Sequence, residues 1–120
     1  IVRDDERQAN AATELIEKQC TADDPGFINL VVLCELSWVL SRGYRYNRAT
    51  VARVIRGILS SAELEVEASE TAWRALMGME EGKADFADYV IGSHNRTHHV
   101  TTTYTFDVKA AASPNFCLAE

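Results

Sequence analysis

Short segments typical of strands alternate along this chain with longer segments of helical periodicity, and this alternation most constrains the fold. Residues 27–28, 64–67 and 99–105 are the predicted strands; the last two are alternating or rich in β-branched residues. Between them, apolar residues recur at the three- and four-residue spacing of helices. Such alternation is typical of α/β folds with a parallel sheet. We therefore predict one α/β domain that spans residues 1–120.

The most hydrophobic predicted helix covers residues 29–42 and ends at Gly43, a residue that suits a helix C-terminus. Its apolar residues are predicted to form a broad buried face, which consists of Val31, Val32, Leu36, Val39 and Leu40. The other helices are predicted to begin at Asp4 or Asp5, Asn47, Ser69, Asp85 and Asp107.

Composition excludes several classes of protein. The chain has 47% apolar and 25% charged residues, which is ordinary for a soluble domain. It has no apolar run of the roughly 18–20 residues that a membrane helix needs, and no signal-peptide pattern. Cys20, Cys34 and Cys117 are widely spaced, which predicts free thiols in a reducing cytoplasm. The net charge of -6 argues against general adhesion to nucleic acid, but it permits local contacts.

The carboxylates between residues 82 and 107 form the pattern that carries most chemistry. Asp85 opens a predicted helix, and Asp88 lies one turn further along the same face. Asp107 directly follows a predicted strand, the position where α/β sheets place their sites. Two carboxylates on one helical face repel each other unless a cation lies between them. These acids therefore predict a site for a hard metal ion, although each one alone is typical of a helix cap.

Glu35 is a further candidate ligand because it interrupts the apolar run LVVLCELSWVL. An ionised carboxylate buried among such residues is costly unless it is paired or bound to a metal ion. The alternative is that Glu35 points outward from a helix that is only partly buried.

Three other groups of residues suggest different chemistry. Five arginines around a predicted turn between helices could contact RNA phosphates, with Tyr44 or Tyr46 stacking on a base, or could form an ordinary solvated face. These arginines are Arg42, Arg45, Arg48, Arg53 and Arg56. His94 and His98 have the spacing of a zinc pair, but no third ligand is evident. Cys34 lies in an apolar helix without an evident base, which favours a structural thiol over a nucleophile.

Three segments, in this order, resemble the PIN domain family: LVVLCELSWVL at residues 30–40, ADFADYVI at residues 84–91 and TFDVKAA at residues 105–111. The resemblance covers nearly the whole chain and is strongest to the toxin ribonucleases of bacterial type II toxin–antitoxin systems. It implies a three-layer α/β/α fold around a central parallel sheet. It also implies an endoribonuclease that depends on Mg²⁺ or Mn²⁺ and cleaves RNA with metal-activated water.

The resemblance implies a role for each acidic residue. Glu35 matches the second acidic position of the family, Asp88 the third and Asp107 the fourth, so these three are the expected catalytic residues and metal ligands. Asp85, one turn from Asp88, is expected as an additional metal ligand. The implied partners are an RNA substrate, a cognate antitoxin and a second copy in a homodimer, all in the bacterial cytoplasm and without a membrane.

The chain also departs from the family pattern. Members begin with a hydrophobic strand that ends in an Asp-Thr-Asn motif, and this strand is expected just before Ile1. It is the central strand of the family's sheet, and its Asp is a primary metal ligand. Without it, we expect weak activity and association that fills the gap. The alternative function is therefore a catalytically impaired PIN-like binding module that mainly engages a protein partner.

Overall fold

The structure, a computed structural model, describes residues 7, 10–11, 14–15 and 17–119. The described residues between 7 and 19 are helical and exposed, and we call this segment α1. The predicted caps of this helix, Asp4 and Asp5, lie outside the described residues. The elements that follow are β1 (Gly26–Ile28), α2 (Leu30–Trp38), a π-helical turn (Val39–Gly43), α3 (Arg48–Ser60), β2 (Leu64–Val66), α4 (Ser69–Glu81), α5 (Phe86–Thr97), β3 (Thr103–Thr105), α6 (Val108–Ala111) and β4 (Phe116–Leu118).

The strands form two parallel pairs, which confirms the predicted parallel pairing. In the first pair β1 lies beside β2, with Gly26 opposite Leu64. In the second pair β3 lies beside β4, with Thr103 opposite Phe116. Within the described part of the chain, no strand joins the two pairs into one sheet. The central strand that the family pattern places there stays a prediction.

The third strand is shorter than its sequence suggests. Residues 99–105 were predicted to be extended, but β3 contains only Thr103–Thr105. The chain is still leaving α5 at His99, whose φ is 64°, and the Val100 N–H donates to the carbonyl of Asn95 at 3.1 Å. His99 and Val100 therefore belong to the turn at the end of α5, although β-propensity alone assigns them to the strand.

The core lies where helices α2 to α5 pack together, with α4 in contact with both α3 and α5. Its largest fully buried side chains come from these four helices: Leu33, Val51, Ile55, Leu76 and Phe86. Burial of an aliphatic or aromatic side chain of this size stabilises a fold by about 1.5–3 kcal/mol. Among the described residues, no helix is long and apolar enough to span a bilayer.

Helix α2 buries only one narrow face. Leu33 and Ser37 are buried on it, whereas Val31, Val32 and Val39 are 67%, 53% and 48% exposed. The predicted broad buried face is therefore wrong for these three valines, whereas Leu40 of the same predicted face is buried and Leu36 packs against the core. Apolar residues occur all around this helix, so its sequence does not indicate which side meets the core.

Two predicted helix starts have different outcomes. Asn47 caps α3 as predicted, since its Oδ1 accepts from the Thr50 N–H at 2.8 Å. Ser69 was predicted to cap α4 but is its first helical residue instead. Ala68 holds the cap position with a left-handed φ of 50° and provides no side-chain acceptor.

Arg48 joins the start of α3 to the end of α4. Its guanidinium donates to the carbonyl groups of Met79 at 2.6 Å, Gly82 at 3.2 Å and Lys83 at 3.3 Å. The last carbonyl groups of a helix lack partners within that helix. A cation that binds them also interacts favourably with the helix dipole. Arg48 therefore acts as a side-chain cap for α4.

Replacing this cap should cost stability. We expect Arg48→Met to lower the free energy of unfolding by about 1.5–3 kcal/mol, the range for hydrogen bonds to a charged group. Urea denaturation measures the change. Arg53→Met is the matched control, because Arg53 is exposed on α3 and no ion pair or side-chain hydrogen bond is found for it among the described residues. The control should change stability by less than about 0.5 kcal/mol. Equal losses in both variants would contradict the capping role.

Candidate metal centre

Asp85 stands at the N-cap position of α5, but its side chain does not cap the helix. Instead, its Oδ2 accepts from Arg42 Nη2 at 3.3 Å, across a surface where the two side chains are 43% and 70% exposed. The predicted helix start is therefore confirmed, while the carboxylate is turned toward a cation from another element. A surface ion pair of this kind contributes little stability, so a competing cation could replace Arg42 at low cost.

Asp107 caps α6 and is held in place by that role. Its Oδ1 accepts from the N–H groups of Lys109 at 2.8 Å and Ala110 at 3.0 Å. Its own N–H donates to Thr105 Oγ1 at 3.0 Å, which fixes the residue directly after β3, where the sequence placed it. No hydrogen bond to Oδ2 is found in the described part of the chain. One oxygen is thus used structurally, and the other remains able to bind a ligand.

Asp88 is the most perturbed of the acids. Burial raises the pKa of its carboxyl above the ordinary value of 3.8, and the negative charges of Asp107 and then Asp85 raise this pKa further. A backbone hydrogen bond from Asp85 and the charge of Arg42 act in the opposite direction but do not cancel the shift. The structure therefore brings Asp85, Asp88 and Asp107 into one electrostatic environment with more negative charge than Arg42 compensates.

Glu35 has a different setting from the one predicted. It is exposed, and it lies about 200° around α2 from the buried Leu33. The burial argument for Glu35 is therefore wrong, because it shares the exposed face with Val31 and Val39. Glu35 is also absent from the charges that shift the pKa of Asp88, although α2 and α5 pack against each other.

Tyr89 fixes the position of α5 next to the acids. Its ring packs on Gly78 of α4, where an added Cβ would lie 2.7 Å from the ring. At Gly82 an added Cβ would collide with the Tyr89 hydroxyl. That hydroxyl is 3.1 Å from Ser113 Oγ and accepts from the Ala84 N–H at 3.3 Å. Tyr89 thus ties the start of α5, which carries Asp88, to α4 and to the segment after α6.

The donor set suits a hard divalent cation. Carboxylate oxygens are the ligands that Mg²⁺ and Mn²⁺ prefer in proteins. A cation would also relieve the repulsion that raises the pKa of Asp88. Among the described residues, however, no three His, Cys, Asp or Glu side chains already form a group able to hold a metal ion. The acids fit the cation by chemistry, without a finished coordination shell.

Most of the predicted arginine surface is used within the fold. Arg42 pairs with Asp85, Arg48 caps α4, and Arg56 forms a bidentate pair with Glu80 at 2.6 and 2.8 Å. Of the five arginines, only Arg45 and Arg53 have no such partner in the described part of the chain. The structural interpretation of these arginines therefore accounts for three of the five.

The two remaining alternatives gain no support from the geometry. The rings of His94 and His98 meet edge to face, with centroids 4.9 Å apart, and no third zinc ligand joins them among the described residues. Cys34 is half-buried, and burial raises the pKa of its thiol, so it is a poor nucleophile. All three cysteines are free, as predicted.

Sequence reasoning missed a cleft of about 700 Å³ between α4, α5 and the α6–β4 segment. We call it the basic cleft, because it is lined by four cations: Arg74, Lys83, Arg96 and Lys109. These residues come from separate segments, so no local pattern predicts that they meet. The one available signal was that Lys83 and Lys109 each lie two residues from a candidate ligand.

Comparison with known proteins identifies a family. The family model described as the PIN domain matches residues 1–112. Searches against curated proteins and against solved structures returned no match. The mixture of helices with parallel strands agrees with the α/β fold of that family.

The perturbed carboxyl predicts a pH effect in metal-free buffer. A carboxyl with a higher pKa in the folded state binds its proton more tightly there. The free energy of unfolding therefore falls as pH rises from 3.8 through the raised pKa of Asp88. We expect Asp88→Asn to be at least as stable as the parent at pH 7, with this advantage lost below pH 3.8.

Urea denaturation in EDTA at a series of pH values measures this difference. Asp23→Asn is the control, because Asp23 is an exposed acid outside the centre and should leave the pH dependence unchanged. A variant Asp88→Asn that is less stable than the parent at pH 7 would show that the ionised carboxylate is favourable in the fold.

Proposed function

Because this chain belongs to the PIN domain family, we propose that it is an endoribonuclease that depends on Mg²⁺ or Mn²⁺. Proteins of this family are generally nucleases that act on RNA or DNA and use divalent metal ions. The observation that carries the proposal is the half-buried carboxyl of Asp88, whose pKa is raised by burial and then by the negative charges of Asp107 and Asp85. Repulsion of this kind is unfavourable in the free protein and favours a bound cation.

Each acid has a proposed role in holding the cation. Asp88 and Asp107 are the main ligands and catalytic residues, and Asp85 is an additional ligand that exchanges Arg42 for the ion. Glu35 on α2 is the remaining catalytic residue and metal ligand, and it is proposed from the sequence resemblance alone. A divalent ion held by these acids would supply charge stabilisation at the scissile phosphate and the leaving oxygen and a lowered pKa for the attacking water.

The chain itself prepares the centre in two ways. The α6 N–H groups fix one oxygen of Asp107, so binding an ion immobilises little of this side chain. The half-burial of Asp88 removes water around its carboxylate, which strengthens its attraction to a cation. Both effects favour cation binding by carboxylate oxygens whose positions the helices already restrict.

The biological role is proposed from the resemblance of three segments to toxin ribonucleases. On this basis the substrate is RNA, the partners are a cognate antitoxin and a second copy of the chain, and the site of action is the bacterial cytoplasm. These assignments go beyond the family match, which supports nuclease activity in general.

A second candidate function is a PIN-like binding module with impaired catalysis that engages a protein partner. Two observations favour it. Glu35 is exposed, and the described residues hold no finished metal group. In addition, Val31, Val32 and Val39 expose apolar surface beside Glu35 on α2. Apolar surface of this kind is typical of protein interfaces when it forms a contiguous patch.

Cleavage assays separate the two functions. With Mn²⁺, the chain should cleave a labelled single-stranded RNA faster than the DNA of the same sequence. Asp88→Asn should reduce this cleavage by about 100-fold or more, because it removes a charged ligand of the catalytic ion. Asp23→Asn is the control and should cleave at the parent rate. Cleavage by Asp88→Asn at the parent rate would rule out the acidic centre, and a parent chain without activity would favour the binding module.

A further inference from the structure

The basic cleft collects most of the unpaired positive charge found among the described residues. Four of its lining residues, Arg74, Lys83, Arg96 and Lys109, form no ion pair or side-chain hydrogen bond with any residue that the structure describes. Glu81 is the single acid among the residues that line the cleft. The cleft is therefore strongly positive, although the chain as a whole carries a net charge of -6.

Unpaired cations that converge in this way repel one another. Elsewhere in the fold two arginines are neutralised by acids, Arg56 by Glu80 and Arg42 by Asp85. In the cleft, Glu81 forms no ion pair with the four cations, so these cations remain available to an anionic ligand. Charge of one sign in a concave surface attracts ligands of the opposite charge and speeds their association.

The cleft is connected to the acidic centre along the chain, although none of Asp85, Asp88 and Asp107 lines it. Lys83 lies two residues before Asp85, and Lys109 lies two residues after Asp107. From there the lining follows α5 to Arg96, about 15 Å from the start of the helix. A chain of phosphates with one member at the acids could thus continue along these cations.

We propose that the basic cleft binds the phosphates of a single RNA strand on one side of the bond that is cut. The inference rests on the proposed function, because that function places the scissile phosphate at Asp88 and Asp107. A cleft of about 700 Å³ has the volume of a small-ligand pocket, which suits a few nucleotides of a single strand. An acidic peptide would fit the same charge, but it has no reason to begin at a cluster of carboxylates.

The test measures RNA binding without metal, so that it does not depend on catalysis. The full chain is titrated in EDTA against a labelled single-stranded RNA of about twelve nucleotides, a length within the usual range of single-strand sites. We expect Arg74→Glu/Arg96→Glu to weaken binding about tenfold or more at low salt. The slope of log K against log salt should also fall by roughly 0.7 for each phosphate that the variant no longer binds.

The matched control reverses two other arginines. Arg45→Glu/Arg53→Glu makes the same change in net charge, and neither residue lines the cleft or has a side-chain partner in the described ranges. This control variant should weaken RNA binding much less than the cleft variant, and its slope of log K against log salt should stay close to that of the parent. A larger loss of binding in the control would overturn the proposal and place the RNA contacts in the α2–α3 region. Equal losses in both variants would overturn it by showing that only net charge matters.

Two further measurements, with neutral variants and with an acidic peptide, separate RNA binding from added negative charge and from protein docking. Arg74→Gln/Arg96→Gln repeats the test without added negative charge, and urea denaturation confirms that each variant is folded. If RNA binding is unchanged in both cleft variants, the proposal is wrong even when Asp88→Asn abolishes cleavage. If the cleft variants lose binding to a poly-glutamate peptide but not to RNA, the cleft is a protein-docking surface and the proposal is also wrong. Failure of the proposed function would appear separately, as cleavage that does not depend on Asp88.

Discussion

The close approach of two helix starts is the constraint on which the candidate site depends. The start of α5 carries Asp88, and the start of α6 carries Asp107, so each carboxylate is positioned by its own helix. Tyr89 fixes the position of α5 relative to α6. Its hydroxyl contacts Ser113 just after α6, and its ring packs on Gly78 of α4. The packing of these helices therefore holds Asp88 near the negative charges of Asp107 and Asp85, which repel it.

The distribution of positive charge follows from the same arrangement. Cations around α2 and α3 are largely neutralised within the fold, and Arg48 shows that one of them is an element of structure. Cations around α4, α5 and α6 are unpaired in the described part of the chain, and they line the basic cleft. A chain with excess negative charge therefore separates an acidic centre from an adjoining basic surface. Such a pair of surfaces suits a substrate that needs both a cation and phosphate contacts.

Sequence could predict the parts of the site that depend on local rules. Asp88 in a first helical turn and Asp107 after a strand were both found where their neighbours indicated. The setting of Glu35 could not be predicted, since α2 is apolar on every side and only tertiary packing decides which face is buried. Strand β4 was missed because its residues FCL show neither alternation nor a β-branched side chain. The basic cleft was missed because its cations come together only in the folded chain.

The central claim is that the carboxylates at the starts of α5 and α6 bind a divalent cation. The most direct measurement is the broadening of backbone amide signals in NMR spectra as paramagnetic Mn²⁺ is added in substoichiometric amounts. The account predicts that broadening begins at Asp85 to Asp88 and at Asp107 to Lys109, and that Asp88→Asn removes it. Broadening that begins at His94 and His98 instead, or that affects exposed acids across the chain equally, would contradict the account.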